Sequence, residues 1–411
     1  MRLIVYSHDA FGLGNIRRML AICQYLIKAY PKVSILVISG SPALHSLRLP
    51  QGLDYIKLPC LGRDESGTVS SKYLETDLND AVKLRSDLIL STVQNFKPDL
   101  ILVDKKPDGL QQELQATLSY IKMHQPETKL VLLLRDILDR PEATIAQWQR
   151  HGYYDTIANL YDQVWVVGIP EIFDVRHEYQ FPPAVVQKTR FCGYIRREPG
   201  IKSRQVLRKE LQLQPADKLV LLTPGGGADG YHLVDTYVRG LEAQPSEWRS
   251  LIISGSEMPT DQREQIQHRV AHLPLVEMLE FTDDLVGYMD AADLVVSMGG
   301  YNTIGEILSL QKRAIVVPRL QPVEEQWLRA ERMAKMGLFQ AIHPANLTST
   351  HLMQCIQNEL RAIETSVSSA LPDMNALPRI AEYLSRLVRE PVFCPSWLNI
   401  PHPVLAATAD C

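Results

Sequence analysis

Long apolar runs are missing from this sequence of 411 residues. No segment has the roughly 18 uninterrupted apolar residues that a membrane-spanning helix needs. The chain starts directly on MRLIVYS, without the apolar stretch and the small-residue cleavage site of a signal peptide. We therefore expect a cytoplasmic protein, whose contact with a membrane is at most peripheral and at the inner face.

An excess of positive charge is also missing. The formal net charge is −4 and the isoelectric point lies near 6.3. Without a basic stripe and interleaved aromatic residues, nothing attracts this surface to a nucleic-acid backbone. The six cysteines are scattered with no C-x-x-C spacing, which argues against a zinc cluster and a disulfide scaffold. We expect no nucleic-acid partner and no metal.

What the sequence contains is the balance of a folded globular protein, with 45% apolar and 22% charged residues. Its length exceeds the usual size of one hydrophobic core, so two domains are expected. Short apolar runs alternate with longer segments of helical period, which is typical of βαβ units around a buried parallel sheet. These features predict an α/β protein with two Rossmann-like, doubly wound domains.

The first half contains five strand-like runs and a clear helical stripe. Residues 16–30 place Met19, Cys23 and Leu26 on one face, which can pack on a sheet. Strands are predicted at residues 3–6, 34–38, 100–103, 130–134 and 163–167.

The pattern restarts after about residue 200, behind the Pro199-Gly200 pair that punctuates the chain. We therefore predict an N-terminal domain at 1–198, a second domain at 199–374, and a final helix with a Pro-rich tail at 375–411. In the second half, strands are predicted at 219–222, 251–253, 276–279, 294–296 and 314–317, and helices at 231–243, 260–271, 301–310, 323–336 and 377–388.

A cleft between the domains is the expected place for chemistry, because open α/β sheets bind ligands at the carboxyl ends of their strands. The first turn at such an end contains Gly12, Gly14 and Asn15, but it does not meet the G-x-G-x-x-G dinucleotide pattern. His8 and Asp9 come just past the strand, where either could accept a proton from an acceptor hydroxyl. An N-cap or turn aspartate beside a half-buried histidine is an equal alternative.

A second glycine turn contains Gly225, Gly226 and Gly227 and leads into a helix. Three successive glycines leave bare amides that can wrap a diphosphate, and the dipole of the following helix favours its charge. The Walker pattern is absent, because no Lys-Ser or Lys-Thr follows. The alternative is a plain flexible loop.

The third motif runs from Glu280-Phe-Thr-Asp-Asp284 to a strand and then to Gly299, Gly300, Asn302, Thr303 and Glu306. The carboxylate of Glu306, near the start of a helix, could accept both hydroxyls of a ribose. Thr303-x-x-Glu306 also fits a capping box, and sequence spacing does not separate the two roles.

The last motif places Glu325 and Gln326 at the start of a helix that follows a strand and a loop. An acid and an amide at this position could hydrogen-bond the hydroxyls of a sugar. They could equally be first-turn residues whose charge suits the helix dipole.

These motifs resemble those of family 28 glycosyltransferases, the group that contains the MurG-type N-acetylglucosaminyl transferase. The resemblance spans roughly residues 219–338, where Glu-Phe-x-Asp-Asp, Gly-x-x-Thr-x-x-Glu and the loop-Gln-helix element occur in the family's order. The whole chain is also similar to a bacterial group of predicted glycosyltransferases, of unassigned acceptor, that begin Tyr-Ser-His-Asp-x-Phe-Gly-x-Gly-His.

The resemblance implies a GT-B fold and an inverting transfer of a hexose or N-acetylhexosamine from a UDP-linked donor, with neither catalytic metal nor cofactor. The acceptor could be a saccharide, a lipid or a small molecule. By position, the resemblance implies that Phe281 and Thr282 line the base, that Glu306 holds the ribose, that the glycines at 225–227 hold the diphosphate, and that Glu325 and Gln326 hold the sugar.

The chain departs from the family at three places. Asn15 stands where the family has histidine, and because an amide is no general base, that role falls to Asp9 or His8. Met298-Gly299 and Gly227 replace an Arg-Ser pair and a serine, which shifts phosphate contacts toward backbone amides. Two alternatives remain, a nucleotide-sugar epimerase or hydrolase of the same fold and a non-catalytic nucleotide-sugar binding protein.

Overall fold

A computed structural model describes residues 1–7, 14–42, 49–63, 69–362 and 371–389. Its first half forms a sheet of seven parallel strands in the order β3-β2-β1-β6-β7-β8-β9, beside a small hairpin of β4 and β5. The elements are β1 (Arg2–Ser7), α1 (Gly14–Ala29), β2 (Ser34–Ser39), β3 (Leu53–Lys57), β4 (Leu61–Arg63), β5 (Val69–Ser71), α2 (Leu78–Phe96), β6 (Leu100–Asp104), α3 (Gln115–His124), β7 (Lys129–Arg135), α4 (Pro141–His151), α5 (Tyr153–Leu160), β8 (Gln163–Val167), α6 (Val175–Glu178), α7 (Pro183–Lys188) and β9 (Thr189–Phe191).

The second half forms a sheet of six parallel strands in the order β12-β11-β10-β13-β14-β15. Its elements are α8 (Arg204–Glu210), β10 (Leu219–Thr223), α9 (Tyr231–Ala243), β11 (Arg249–Ile253), α10 (Thr260–Val270), β12 (Val276–Leu279), α11 (Leu285–Ala291), β13 (Leu294–Ser297), α12 (Tyr301–Leu310), β14 (Ala314–Val316), α13 (Glu325–Lys335), β15 (Gln340–Ala341) and α14 (Ser349–Arg361). The last helix, α15 (Ala376–Val388), belongs to the first half.

The central strands are buried along their length, as expected for parallel strands covered by helices on both faces. The predicted α/β class and the ten predicted strands are confirmed. Strands β3, β9 and β15 and the β4–β5 hairpin were not predicted, because short or half-exposed strands lack a continuous apolar run. Among the described residues, no helix is both long and apolar enough to cross a bilayer.

Each sheet has one point where the strand order reverses, between β1 and β6 in the first and between β10 and β13 in the second. At such a point the loops after the two neighbouring strands diverge, and they leave a crevice at the carboxyl edge. We call these the N-terminal crevice and the C-terminal crevice. The glycine-rich turns predicted after β10 and β13 border the C-terminal crevice, whereas the turn predicted after β1 lies largely outside the described residues.

The chain passes between the halves twice. It leaves the first half after β9, and it returns so that α15 packs on α1, where Tyr30 donates a hydrogen bond of 2.6 Å to the carbonyl of Ala381. The two passages are joined to each other, because Ile195 and Asn375 form an isolated antiparallel bridge. The predicted domain boundaries at 198 and 374 lie close to these passages and stay predictions.

Candidate functional site

The glycine loop after β10 has the backbone conformation that only glycine adopts without strain. Gly225 and Gly227 have φ values of 85° and 97°. Gly227 is also tightly packed, since a Cβ atom there would lie 2.3 Å from the carbonyl oxygen of Ser254. The amide of Gly225 bonds the hydroxyl of Thr223 at 3.3 Å, whereas the amides of Gly226 and Gly227 have no acceptor among the described residues. These two amides are free to bind an oxyanion.

Two helices begin at the C-terminal crevice without side-chain caps. Gly230 is the N-cap of α9 and Gly300 is the N-cap of α12. In neither helix does a cap side chain accept a hydrogen bond from the first amides. The first amides of a helix carry partial positive charge, so both termini favour an anion. Thr303 lies between the two loops. Its hydroxyl would be 3.9 Å from a Cβ atom added to Gly225 and 3.8 Å from one added to Gly300.

The capping-box alternative for Thr303 and Glu306 is wrong. Helix α12 begins at Tyr301 with Gly300 as its N-cap, so Thr303 already lies inside the first turn. Glu306 lies one turn beyond Thr303 on the same face, and its carboxylate has no hydrogen bond or ion pair among the described residues. Burial raises the pKa of Glu306, while the charges of Arg197 and Arg17 oppose that shift.

Arg197, in the first passage between the halves, borders this acid. Its Nη2 donates a 2.5 Å hydrogen bond to Oδ1 of Asn302, and its backbone amide donates to the hydroxyl of Ser309 at 2.9 Å. Its Nε is buried and has no hydrogen-bond partner in the described ranges. Asn302 and Glu306 therefore face the interdomain side of α12, and their predicted contacts with a ligand stay predictions.

The loop after β13 lies against the start of α13. A Cβ atom on Gly299 would be 3.1 Å from Pro318 Cβ and 3.2 Å from the carbonyl oxygen of Gln326. The side chain of Gln326 is buried, and its Oε1 accepts a hydrogen bond of 3.3 Å from the amide of Arg319. Gln326 is thus at the edge of the C-terminal crevice, and its predicted contact with a sugar stays a prediction.

Glu325 is the first residue of α13, as the first-turn alternative expected, and it also makes ion pairs that the sequence did not reveal. It is buried, and its carboxylate pairs with Arg135 at 3.0 Å and with Arg329 at 3.0 Å. Burial opposes ionisation, but the charges of Arg135 and Arg329 lower the pKa of Glu325 to about 2. The residue links the two halves in this structure, and its role toward a sugar stays a prediction.

A buried ion pair at the domain interface was missed by the sequence analysis. Arg329 of α13 donates from Nε and Nη2 to the two carboxylate oxygens of Asp136, both at 2.9 Å, and all of these side chains are fully buried. The hydroxyl of Tyr194 donates to the same carboxylate at 2.8 Å. Asp136 follows β7 directly, and a charged residue after an apolar strand was the available signal.

The N-terminal crevice is lined by charged residues that no motif names. Arg18 of α1 and Asp104 at the end of β6 are both buried and form an ion pair of 2.6 Å. Arg18 Nε and Asp104 Oδ2 have no hydrogen-bond partner within the part of the chain that the structure describes. Lys105 has a left-handed backbone with φ of 66°. Burial, together with the charge of Arg135, lowers the pKa of Lys105 to about 8.

Several predicted residues of this crevice fall outside the described part of the chain, namely His8, Asp9 and Gly12. Gly14 and Asn15 are the first residues of α1, and their side chains are not described. Their predicted roles stay predictions. Within the described ranges, no group of three or more His, Cys, Asp or Glu side chains could hold a metal ion.

Phe281 and Thr282 are in the loop after β12, two strands from the C-terminal crevice. The ring of Phe281 is 56% exposed, so it is available to stack on a flat ligand. The hydroxyl of Thr282 accepts a hydrogen bond from the amide of Asp284 at 3.1 Å and therefore shapes the turn. Asp284, buried, caps α11 through the amide of Gly287 at 3.1 Å.

Residues 226–382 match the glycosyltransferase family 28 C-terminal domain. The chain is 24% identical over 237 residues to an uncharacterized glycosyltransferase of Methanopyrus kandleri, covering 56% of this chain and 62% of that protein. It is 22% identical over 361 residues to a UDP-N-acetylglucosamine--N-acetylmuramyl-(pentapeptide) pyrophosphoryl-undecaprenol N-acetylglucosamine transferase of Caldicellulosiruptor saccharolyticus, covering 86% and 88%. The alignment with the first of these relatives spans less than two thirds of its length.

Solved structures show the same fold. MurG of Acinetobacter baumannii superposes with a TM-score of 0.58 at 13% identity, covering 95% of this chain and 99% of that one. The S. aureus MnaA–UDP structure superposes with a TM-score of 0.61 at 12% identity, covering 95% and 97%. The fold is GT-B, with two Rossmann-like domains that face each other across a cleft, as the sequence predicted.

Proposed function

We propose that this chain, whose residues 226–382 match the C-terminal domain of glycosyltransferase family 28, transfers a sugar from a nucleotide donor to an acceptor hydroxyl. The donor occupies the C-terminal crevice and the acceptor occupies the N-terminal crevice. The two crevices open on one cleft, because α1 and α12 approach each other at the domain interface, where the guanidinium of Arg18 lies 5.6 Å from the centre of the Tyr301 ring.

One observation carries the proposal: the amides of Gly226 and Gly227 and the carboxylate of Glu306 border the C-terminal crevice and have no hydrogen-bond partner among the described residues. Amides at an uncapped helix terminus suit a diphosphate. A carboxylate without a partner suits the two hydroxyls of a ribose, which both donate hydrogen bonds. A nucleoside diphosphate carries both groups.

For the donor we propose a UDP-linked hexose or N-acetylhexosamine. The name of the Caldicellulosiruptor relative includes UDP-N-acetylglucosamine, and the MnaA structure holds UDP. Phe281 is available for the base, as proposed from the family resemblance. We propose that Gln326 and Glu325 contact the sugar, with the carboxylate of Glu325 held by its ion pairs with Arg135 and Arg329.

The proposed reaction is a direct displacement with inversion. The acceptor oxygen forms a bond to the anomeric carbon, the bond from that carbon to the phosphate oxygen breaks, and the electron pair stays on the departing diphosphate. Asp9 or His8 takes the proton of the acceptor hydroxyl. We propose that no metal and no cofactor takes part, that the glycine-loop amides stabilise the leaving group, and that the protein works in the cytoplasm or at the inner membrane face.

Calorimetric titration with UDP, GDP and dTDP tests the donor site directly. We expect one of them to bind with 1:1 stoichiometry and to raise the melting temperature of the protein, because a ligand that binds only the folded state stabilises it. Glu306→Ala should weaken this binding at least about 10-fold, since the hydrogen bonds of the ribose to a charged group are lost. Glu331→Ala, on the exposed face of α13, is the matched control and should bind normally.

An assay without acceptor separates the proposal from its rivals. Incubation of the protein with the bound nucleotide sugar alone should leave the donor largely intact, because closure of the cleft excludes water. Rapid release of free nucleotide or the appearance of an epimerised sugar would instead favour a hydrolase or an epimerase. Tight donor binding without turnover across a broad panel of acceptors would favour a binding protein.

A further inference from the structure

The segment after β14 borders the C-terminal crevice from a side that no motif describes. Pro318 contacts Gly299, and the next residue, Arg319, has its backbone amide fixed by the side chain of Gln326. The side chain of Arg319 crosses to the glycine loop, where Nη1 bonds Oδ2 of Asp229 at 2.9 Å. Arg319 thus connects the start of α13, at the predicted sugar site, with the loop predicted to hold the phosphates.

Only one corner of the Arg319 guanidinium is occupied. Its ion pair uses Nη1, while Nε is buried and has no partner, and among the described residues Nη2 makes no hydrogen bond. The Nε–Nη2 edge is the one that binds an oxyanion through two parallel hydrogen bonds. A buried donor without an acceptor costs free energy, so this edge is poised for a ligand.

The two loops predicted to hold the phosphates supply no cation of their own. The glycine loop from 224 to 230 contains no lysine or arginine, and the loop after β13 has Met298 and Gly299. Backbone amides and helix termini supply only partial charges to a diphosphate that carries at least two negative charges. A guanidinium next to the loop supplies a full charge, which is needed most when negative charge develops on the leaving group.

We infer that Arg319 binds the diphosphate of the donor through its Nε–Nη2 edge, with Asp229 holding the guanidinium in place from the opposite corner. This inference rests on the function proposed above and adds a residue that the family resemblance did not supply. The ligand chemistry is a nucleoside diphosphate, and the cationic contact replaces the one lost at Met298-Gly299.

Paired calorimetric titrations test the inference. UDP and uridine are titrated into the wild type, Arg319→Ala and Arg319→Lys, or the corresponding diphosphate and nucleoside if GDP or dTDP is the ligand of the wild type. We expect Arg319→Ala to weaken diphosphate binding about 10- to 100-fold, as the loss of two hydrogen bonds to a charged group predicts. Binding of the nucleoside should change less than about 2-fold, within the scatter of unaffected contacts.

Arg319→Lys keeps the charge but loses the two-pronged geometry, so its affinity for the diphosphate should fall between those of the wild type and the alanine variant. Arg239→Ala is the matched control, because Arg239 is a 67% exposed arginine of α9 that pairs with Asp235. Circular dichroism of each variant establishes that it is folded.

Equal diphosphate affinity of folded Arg319→Ala, or of the lysine variant if the alanine variant does not fold, overturns the inference and leaves the proposed function intact. An equal loss for diphosphate and nucleoside also overturns it, since the residue would then only shape the site. A wild type that binds no nucleoside diphosphate overturns the proposed function and this inference together.

Discussion

The two crevices of this protein occupy equivalent positions in their sheets but differ in the groups that line them, which are mainly backbone in one and charged side chains in the other. The C-terminal crevice is shaped by backbone, with glycine loops, two uncapped helix termini and one unpaired acid. The described wall of the N-terminal crevice is shaped by buried charge, including the Arg18–Asp104 pair and Lys105. A site made of amides suits a ligand group common to many substrates, whereas a site made of side chains suits one particular ligand.

This difference explains why the sequence indicates the donor class and leaves the acceptor open. Backbone sites need glycine, and glycine at fixed spacing is visible in a sequence. Buried charges can come from any strand end, and their pairing depends on tertiary contacts. Four experiments test the roles of buried charge and of backbone packing, in order of decreasing effect.

The largest effect is expected from Arg329→Ala, which removes one member of the buried Arg329–Asp136 ion pair at the domain interface. Asp136 would then be buried without its cation, and we expect a loss of about 3–5 kcal/mol in the free energy of unfolding. Urea denaturation followed by tryptophan fluorescence measures it. Lys335→Ala on the same helix, whose pair with Glu331 is exposed, serves as the control. A loss as small as that of the control would show that buried charge does not hold this interface.

Gly227→Ala tests the backbone side of the comparison. Its control is Gly337→Ala, because Gly337 also has a positive φ, 73°, but no atom within 4 Å of an added Cβ. Both variants carry the conformational cost, whereas only alanine at 227 meets the carbonyl oxygen of Ser254. Overpacking of this kind costs about 1–3 kcal/mol, so Gly227→Ala should be less stable than the control by that amount. Equal stabilities would indicate that the loop adapts.

The pH dependence of stability tests Glu325. Its folded pKa of about 2 is below the ordinary value of 4.5, so its stabilising contribution is present above pH 4.5 and disappears as the pH falls toward 2. Glu325→Gln should therefore be less stable at neutral pH and should lose less stability on acidification. The control is Glu331→Gln on the same helix. Parallel curves for wild type and Glu325→Gln would contradict the interdomain role.

The smallest effect concerns the titration of Lys105. Burial and the charge of Arg135 lower its pKa to about 8, so its amine should become reactive at lower pH than that of exposed Lys83, whose bond to Asp87 raises its pKa. Competitive amine labelling with mass spectrometry gives both midpoints. If Lys105 titrates above Lys83, the N-terminal crevice is more hydrated than its burial indicates.

The sequence predicted most of the fold because the central strands are continuous apolar runs and the helices have one apolar face. Helices α9 and α12 begin and end where their periodicity predicted. It did not predict β3, where Tyr55 and Ile56 are only half-buried. The sequence correctly predicted that the glycines at 225–227 follow β10 and that Glu306 lies in α12. Spacing could not show that Glu325 pairs with Arg135, since the partner is 190 residues away.

The bridge between Ile195 and Asn375 has a mechanical consequence. Because the chain leaves and re-enters the first half side by side, the second half is topologically an insertion held by two adjoining tethers. Tethers that are hydrogen-bonded together, here also through Tyr194 and Asp373 at 2.7 Å, resist stretching and shear but permit swivelling. Any opening of the cleft therefore pivots near residues 195 and 375, and it requires the interdomain ion pair of Arg329 and Asp136 to separate.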